Sequence, residues 1–179
     1  MTTTLEVVEQ LKASIPGALI DEKNFLGQIT IEARKDDLNK IFLYLKETVS
    51  PGYEVLMDLT GVDYLHPEPH TKIIYLLHNP TNYERLIVTT TLKRDEPLPT
   101  VTRIWEGADW YERELYDMFG VRFEGHPDMK RILMPDDWVG HPMQRSYPLT
   151  EEPVQFKHGV KPKIPSQIIP YVQCNKKNQ

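Results

Sequence analysis

The 179-residue sequence predicts an α+β fold, a small mostly antiparallel or mixed sheet packed with helices, followed by an extended proline-rich C-terminal arm. Three observations lead there. Two segments in the first 50 residues carry apolar side chains at helical spacing. Three strand-like segments then follow one another without an intervening helix, so they are not parallel neighbours. From Pro127 onward eight of the fifteen prolines fall within 44 residues, a density that forbids long helices and central strands. The expected division is an α+β domain over 1–125 and an arm over 126–179.

The elements follow in order. Thr3 and Glu6 have capping-box spacing ahead of Leu5, Val8, Leu11 and Ile15, which predicts a short helix ending before Pro16 and Gly17. Ile29, Ile31 and Ala33 alternate with Thr30 and Glu32 as in a strand. Asp36 or Asp37 then caps a helix over 37–48, with Leu38, Ile41, Phe42 and Leu45 on its buried face and Pro51-Gly52 beyond its end. Strands are predicted over 53–60, 72–78 and 84–92. The second is apolar on both faces, and Asn79-Pro80-Thr81-Asn82 is short enough to make a hairpin with the third.

After Pro97 and Pro99 the helical pattern returns. Ile104, Ala108, Tyr111, Leu115 and Met118 draw one stripe, interrupted at Gly107, so that Asp109 caps a second helix with Glu112 at its third position and Gly120 stops it. Asp109–Arg113 and Arg113–Asp117 are then ion pairs one turn apart. The arm still carries Ile132, Leu133, Met134, Trp138, Val139, Met143, Tyr147 and Leu149, too many large apolar groups for a free linker. Such a segment must lie on its own domain or on a neighbour.

Composition narrows the function classes. The single cysteine, Cys174, forms no internal disulfide and builds no thiolate metal site or iron–sulfur cluster alone. The nine glycines include no dinucleotide or phosphate loop. The start MTTTLEVVEQLKASIP has neither signal-peptide nor transit-peptide character, and no apolar run is long enough to span a membrane, which predicts an intracellular chain that reaches membranes only through partners. The net charge of −5 divides into +3 over 151–179 and −8 over the preceding 150 residues. An acidic body without a clustered basic face is a poor nucleic-acid binder.

The most informative stretch is ERELYDMFGVRFEGHPDMKRILM at 112–134, charges interleaved with large apolar residues. For Glu112, Arg113, Glu114 and Asp117 the default reading is a solvated helix face. His66 and His70 are one helical turn apart, but Pro67 and Pro69 forbid the helix that would align them, so they belong to a surface loop. His126 with Glu112 and Glu114 could supply acid and base to a hydrolase, or ligands to a metal together with His141. Nothing supplies a nucleophile, an oxyanion motif or helical His spacing for that chemistry. Trp105 and Trp110 suit a core as well as an interface, whereas Trp138 in the arm suits an interface.

Taken together, ERELYDMFGVRFEGHPDMKRIL, the later DDWVGHPMQRSYPL and the earlier DLTGVDY at 58–64 resemble the signature of the C subunit, a peripheral-arm component of the proton-translocating NADH:quinone oxidoreductase, respiratory complex I. The resemblance covers roughly residues 20–150. It implies a non-catalytic subunit that docks on and stabilises the quinone-site component, the D subunit, beside neighbouring iron–sulfur subunits, on the cytoplasmic side of the bacterial cell membrane. FMN and the iron–sulfur clusters that carry electrons from NADH to quinone are then expected on those partners, and no cofactor, metal or catalytic residue on this chain. The same resemblance makes Glu112, Arg113, Glu114, Asp117, His126, Arg131, Trp138, His141, Arg145 and Tyr147 the expected partner-binding residues. Relatives also serve ferredoxin-fed quinone reductases and membrane-bound nickel–iron hydrogenases, which is the alternative. The chain departs from the family pattern at Gln144, Arg145 and Ser146, where relatives commonly carry Arg-Lys-Asp, which changes the charges available for any ion pair there.

Overall fold

A computed structural model describes residues 3–148. Helix α1 (Thr4–Ser14) opens on the predicted capping box, in which the Thr3 hydroxyl accepts from the Glu6 N–H and the Glu6 carboxylate accepts from the Thr3 N–H. Strands β1 (Leu19–Phe25) and β2 (Gln28–Ala33) form a hairpin. Strand β1 was not expected, because LIDEKNF is mostly polar and lies at the sheet edge, where neither of its faces needs an apolar alternation.

A 3₁₀ turn (Lys35–Asp37) leads into α2 (Leu38–Leu43), which continues as a π-helical turn over Tyr44–Thr48. The helical segment matches the predicted 37–48 in extent, but neither aspartate caps it: Asp37 holds the Lys40 ammonium at 2.7 Å instead. Strands β3 (Val55–Tyr64), β4 (His70–His78) and β5 (Arg85–Lys93) complete the main sheet in the order β1-β2-β5-β4-β3. The sheet is mixed, antiparallel except where β2 runs parallel to β5, with Ile29 beside Leu86 and Ile31 beside Val88. That pairing joins segments more than 50 residues apart and has no local signal.

The core lies on one face of the sheet. Ile31, Ile73, Tyr75, Leu77, Leu86 and Val88 point there and meet Val8 and Leu11 of α1, and Leu38, Ile41 and Phe42 of α2. Phe42 packs against Tyr75 at 4.7 Å and edge-on to Trp105 at 5.4 Å. The indole N–H of Trp105 donates to the Glu54 carbonyl, so this tryptophan is a core residue. Residues 100–107 form turns rather than the first half of a helix. Helix α3 (Ala108–Phe119) starts after Gly107 and ends at Gly120, whose positive φ and N–H bond to the Tyr116 carbonyl close it as predicted.

Short strands β6 (Leu98–Pro99) and β7 (Phe123–Glu124) pair in parallel and flank α3. From Gly125 to Pro148 the chain has turns but neither helix nor strand, and residues 149–179 of the expected arm lie outside the described residues. Helix α3 packs on β3, where Gly61 allows the approach: a Cβ there would stand 3.0 Å from a Leu115 methyl and 3.6 Å from the Phe119 ring. Replacing Gly61 with Val should therefore force α3 off the sheet and cost about 1–3 kcal/mol. A urea titration of the full chain measures it, and an unchanged midpoint would contradict this packing.

Candidate functional site

Helix α3 and the segment after it bring the predicted residues together, but in a different arrangement from the one the pattern implies. Asp109 lies inside the first turn, and Glu112 is not part of a capping box. The reason is the turn at 100–101, which folds back over the helix. The Glu112 carboxylate is fully buried, with one oxygen 2.7 Å from the Val101 N–H and the other 2.6 Å from the Thr100 hydroxyl. Burial pushes its pKa up to about 7, against the two hydrogen bonds, and Asp109 raises it further. The buried Tyr75 hydroxyl, which makes no hydrogen bond among the described residues, is raised well above its ordinary value by burial and by Glu112.

His126 closes this end of the helix. Its side chain is almost wholly buried, with Nε2 3.1 Å from the Asp109 carboxylate and 4.0 Å from that of Glu112. Nδ1 accepts from the Asp128 N–H at 3.1 Å, so the ring carries a proton on Nε2 and directs it at Asp109. His141 sits at the opposite end of the helix, its Nδ1 bonded to the Asp117 carbonyl and its ring edge-on to Tyr116. The two histidines do not share a site. Among the described residues no group of three or more His, Cys, Asp or Glu side chains is placed to hold a metal ion.

Asp117 organises the other end. It is fully buried and does not pair with Arg113; Arg131 reaches it at 2.5 Å, because the chain turns back along α3 after Gly125. One carboxylate oxygen accepts three successive backbone N–H groups, from Ile132, Leu133 and Met134, at 3.2, 2.8 and 2.9 Å. Burial alone would raise this carboxyl, but the N–H groups of Met134, Leu133 and Ile132 together with Arg131 outweigh it and hold the group below its ordinary value. Arg131 also donates to the Gly140 carbonyl at 3.0 Å.

The same segment caps the helix C-terminus. The carbonyls of Asp117, Met118 and Phe119, which have no partner within the helix, accept from the His141 ring, the Met143 N–H and the Gln144 amide at 3.0, 2.9 and 2.7 Å. Gln144 is thus a neutral donor that meets a carbonyl. Asp63 on β3 anchors the far end: it accepts from the Arg145 N–H at 2.8 Å, Arg94 at 3.0 Å and the Thr71 hydroxyl at 3.0 Å. Sequence reasoning missed Asp63 as a site residue, because the predicted strand over 53–60 stopped short of it and Asp58 in the same strand shows that an acid there is not by itself a sign of burial.

The remaining residues form the surface of this region. Arg113 lies over the Trp110 ring at 5.0 Å, donates to the Lys130 carbonyl at 3.1 Å and stays 3.9 Å from Asp109. Glu114 and the Arg145 side chain are exposed, and Trp138 and Tyr147 are half-buried, with Tyr147 packed against Gly140. Trp110, Leu133, Met143 and Val139 leave 63, 60, 56 and 49% of their surface exposed. Within 112–134, Glu112 and Asp117 are bonded inside the chain and Leu115, Phe119, Val121 and Phe123 join the core, while Leu133, with Trp110 before the motif and Val139 and Met143 after it, is left outside.

Two outcomes follow from this geometry. Asp117→Ala leaves Arg131 and three N–H groups without their acceptor and should cost about 3–5 kcal/mol. Denaturant titration measures the loss, and limited proteolysis should find new cleavage at 130–135. For Glu112 the folded-state pKa, about 7, exceeds the ordinary 4.5, so the folded chain binds the extra proton and stability falls as pH rises from about 4.5 to about 7. The loss is about 3 kcal/mol across that window. Glu112→Gln, which stays neutral, should flatten the change in melting temperature between pH 5 and 7.5; an unchanged slope would refute the assignment.

Residues 31–153 match the family model of the respiratory-chain NADH dehydrogenase 30 Kd subunit. The chain is 37% identical over 151 residues to the C subunit of the NADH-quinone oxidoreductase of Roseiflexus sp. (strain RS-1), covering 84% of this chain and 87% of that one. It is 38% identical over 151 residues to the corresponding C subunit of Geobacter sulfurreducens, covering 83% and 92%. Among solved structures, a chain of the membrane-bound sulfane sulfur reductase, an archaeal respiratory membrane complex, shares the fold with a TM-score of 0.60 at 22% identity, over 97% of this chain and 90% of that one. The chain therefore belongs to the family of the 30 kDa subunit, also termed the C subunit, of the respiratory-chain NADH dehydrogenase.

Proposed function

We propose that this chain is a non-catalytic hydrophilic-arm subunit of the proton-pumping NADH:quinone oxidoreductase, which docks on the quinone-site subunit and holds it against neighbouring iron–sulfur subunits. FMN and the clusters that pass electrons from NADH to quinone belong to those partners in this reading. The chain is peripheral and lies on the cytoplasmic side of the membrane; among the described residues no helix is long and apolar enough to cross one. One observation carries the reading. The buried acids Glu112 and Asp117 bond to backbone and to Arg131, not to an open cleft, while Trp110, Leu133, Val139 and Met143 are left exposed along α3 and the segment it carries.

Rigid apolar anchors on a pre-ordered surface suit a permanent protein contact, because little conformational entropy is lost when they are covered. Arg113, held over Trp110 and bonded to the Lys130 carbonyl, is pre-positioned in the same way, with Glu114 exposed beside it. The NADH-quinone name of the curated relatives favours NADH as the electron source over ferredoxin or hydrogen.

The test is assembly in the native cell. Wild-type chain purified through a tag should bring flavin- and iron–sulfur-containing subunits with it, and recovery without them would overturn the reading. The double substitution Trp110→Asp with Leu133→Asp should leave the isolated chain within about 1 kcal/mol of wild type, because both side chains are mostly exposed. The same variant should lose most NADH:quinone reductase activity in membranes through failed incorporation; normal incorporation would remove this surface from the interface.

A further inference from the structure

We infer that the end of the sheet formed by the β1–β2 turn and the β4–β5 turn is a second docking surface, whose Phe25, Leu26 and Tyr83 insert into an apolar socket of a neighbouring protein subunit. The inference rests on the chain being an assembled subunit and goes beyond it by placing a contact away from α3. The two turns are side by side because β2 and β5 run parallel from the same end, with Ile29 beside Leu86. Phe25 pairs with Gln28 across the first turn, and the Gln28 amide lies 3.4 Å from the Arg85 carbonyl at the foot of the second.

The backbone is the unusual observation. Leu26 and Tyr83 have φ of +51° and +61°, in the left-handed region that Gly or Asn occupies without strain. Leu26 and Gly27 both have positive φ, as the two central residues of a type I′ turn require, and that turn ordinarily takes Asn-Gly. Asn24 already braces it by accepting from the Gly27 N–H. In the second turn Asn79 does the bracing, accepting from the Thr81 and Asn82 N–H groups and donating to the Pro51 carbonyl. Each turn thus has polar supports and still places a bulky apolar group at its strained position. Neither group is repaid by burial: Leu26 is 92% exposed, and Tyr83, its ring 6.4 Å from that of His78, is 80% exposed, with Phe25 beside Leu26 at 75%.

Backbone strain combined with full exposure points to a contact made outside the chain. Charge argues that the occupant is protein and not lipid. Around the two turns acids and bases balance: Asp21 pairs with Lys23 and Glu22 with Lys12, and exposed Arg85 follows Glu84; with −5 on the whole chain there is no basic collar to draw these residues to an anionic surface. Three side chains are too few to bury the area of a stand-alone dimer, but they suffice as anchors within a larger interface. The tyrosine hydroxyl adds a polar tip that a protein socket can satisfy with an acceptor.

The test uses Leu26→Asn and Tyr83→Asn in the full chain. Asn relieves the left-handed strain, so each free variant should melt at or above the wild-type temperature. In cells expressing the double variant, the share of this subunit retained in the purified complex after a salt wash should fall about tenfold. Retention equal to wild type would overturn the inference while leaving the assembly reading intact, and that reading fails separately if the wild-type chain recovers no partner subunits. Vesicles of phosphatidylethanolamine and phosphatidylglycerol that bind the free wild-type chain but not the double variant would assign the surface to lipid and overturn a protein socket. A wild-type dimer in light scattering that the double variant dissolves would assign it to a second copy, with the same result.

Discussion

The bond set around Asp117 governs the last segment of the described chain, residues 125–148. A segment with turns but neither helix nor strand between Gly125 and Pro148 cannot satisfy its own backbone, and it is too apolar to stay in water. Asp117 solves both problems at one point, since three consecutive N–H groups and Arg131 converge on one fully buried carboxylate. With residues 131–134 held there, the chain passes the end of α3 at the height where His141, Met143 and Gln144 meet its last carbonyls. Asp63 then receives Arg145 on β3, so the segment is attached both to the helix and to the sheet beneath it.

Glu112 plays the corresponding part at the start of the helix, with a different electrostatic result. Asp117 has a cation and three backbone donors, enough to outweigh its burial, and its pKa falls. Glu112 has one backbone donor, one hydroxyl and a neighbouring acid, and its pKa rises to about 7. Two carboxylates five residues apart on one helix therefore respond to pH in opposite directions. Protonation supports the Glu112 end near neutrality, whereas the Asp117 end is lost only in acid, when stability falls as its carboxylate is neutralised. A perturbed buried carboxylate with a histidine beside it has the look of an acid–base pair. Here its oxygens are occupied by the 100–101 turn, which is a structural use of the same chemistry.

The motif mixes charge with large apolar groups because Leu115, Phe119, Val121 and Phe123 join the core while Glu112 and Asp117 bind the segments that fold over α3. Charged side chains that would be costly to bury alone are paired within the chain, and this fixes the backbone carrying Trp110, Leu133 and Val139 in one conformation. A surface whose anchors are already ordered loses little entropy on contact. The turns at the other end of β1 and β5 reach the same end differently, by holding apolar groups at left-handed positions on braced hairpins.

Much was legible in the sequence because it is local. The capping box at Thr3, the buried face of α2, the β4–β5 hairpin at Asn79 and the stop at Gly120 each depend on residues within a few positions of one another, where helix and turn geometry dictates the partner; on α1 the face is rotated from the expected one, with Val7 buried and Leu5 exposed. The combination of ERELYDMFG with GHP and DLTGVDY also marked the family. What tertiary structure alone decided is where the charges go. Spacing along α3 pairs Arg113 with Asp117 and gives Glu112 a capping role; the folded chain gives Asp117 to Arg131 and Glu112 to Val101. Helical periodicity ranks neighbours on one helix, but a buried carboxylate takes the donors that exclude water around it, and those came from segments brought in by the turn before the helix and the chain after it. Strand β1 and the parallel β2–β5 pair escaped for the same reason: an edge strand has little apolar alternation to detect, and a parallel neighbour is chosen by the closure of the sheet.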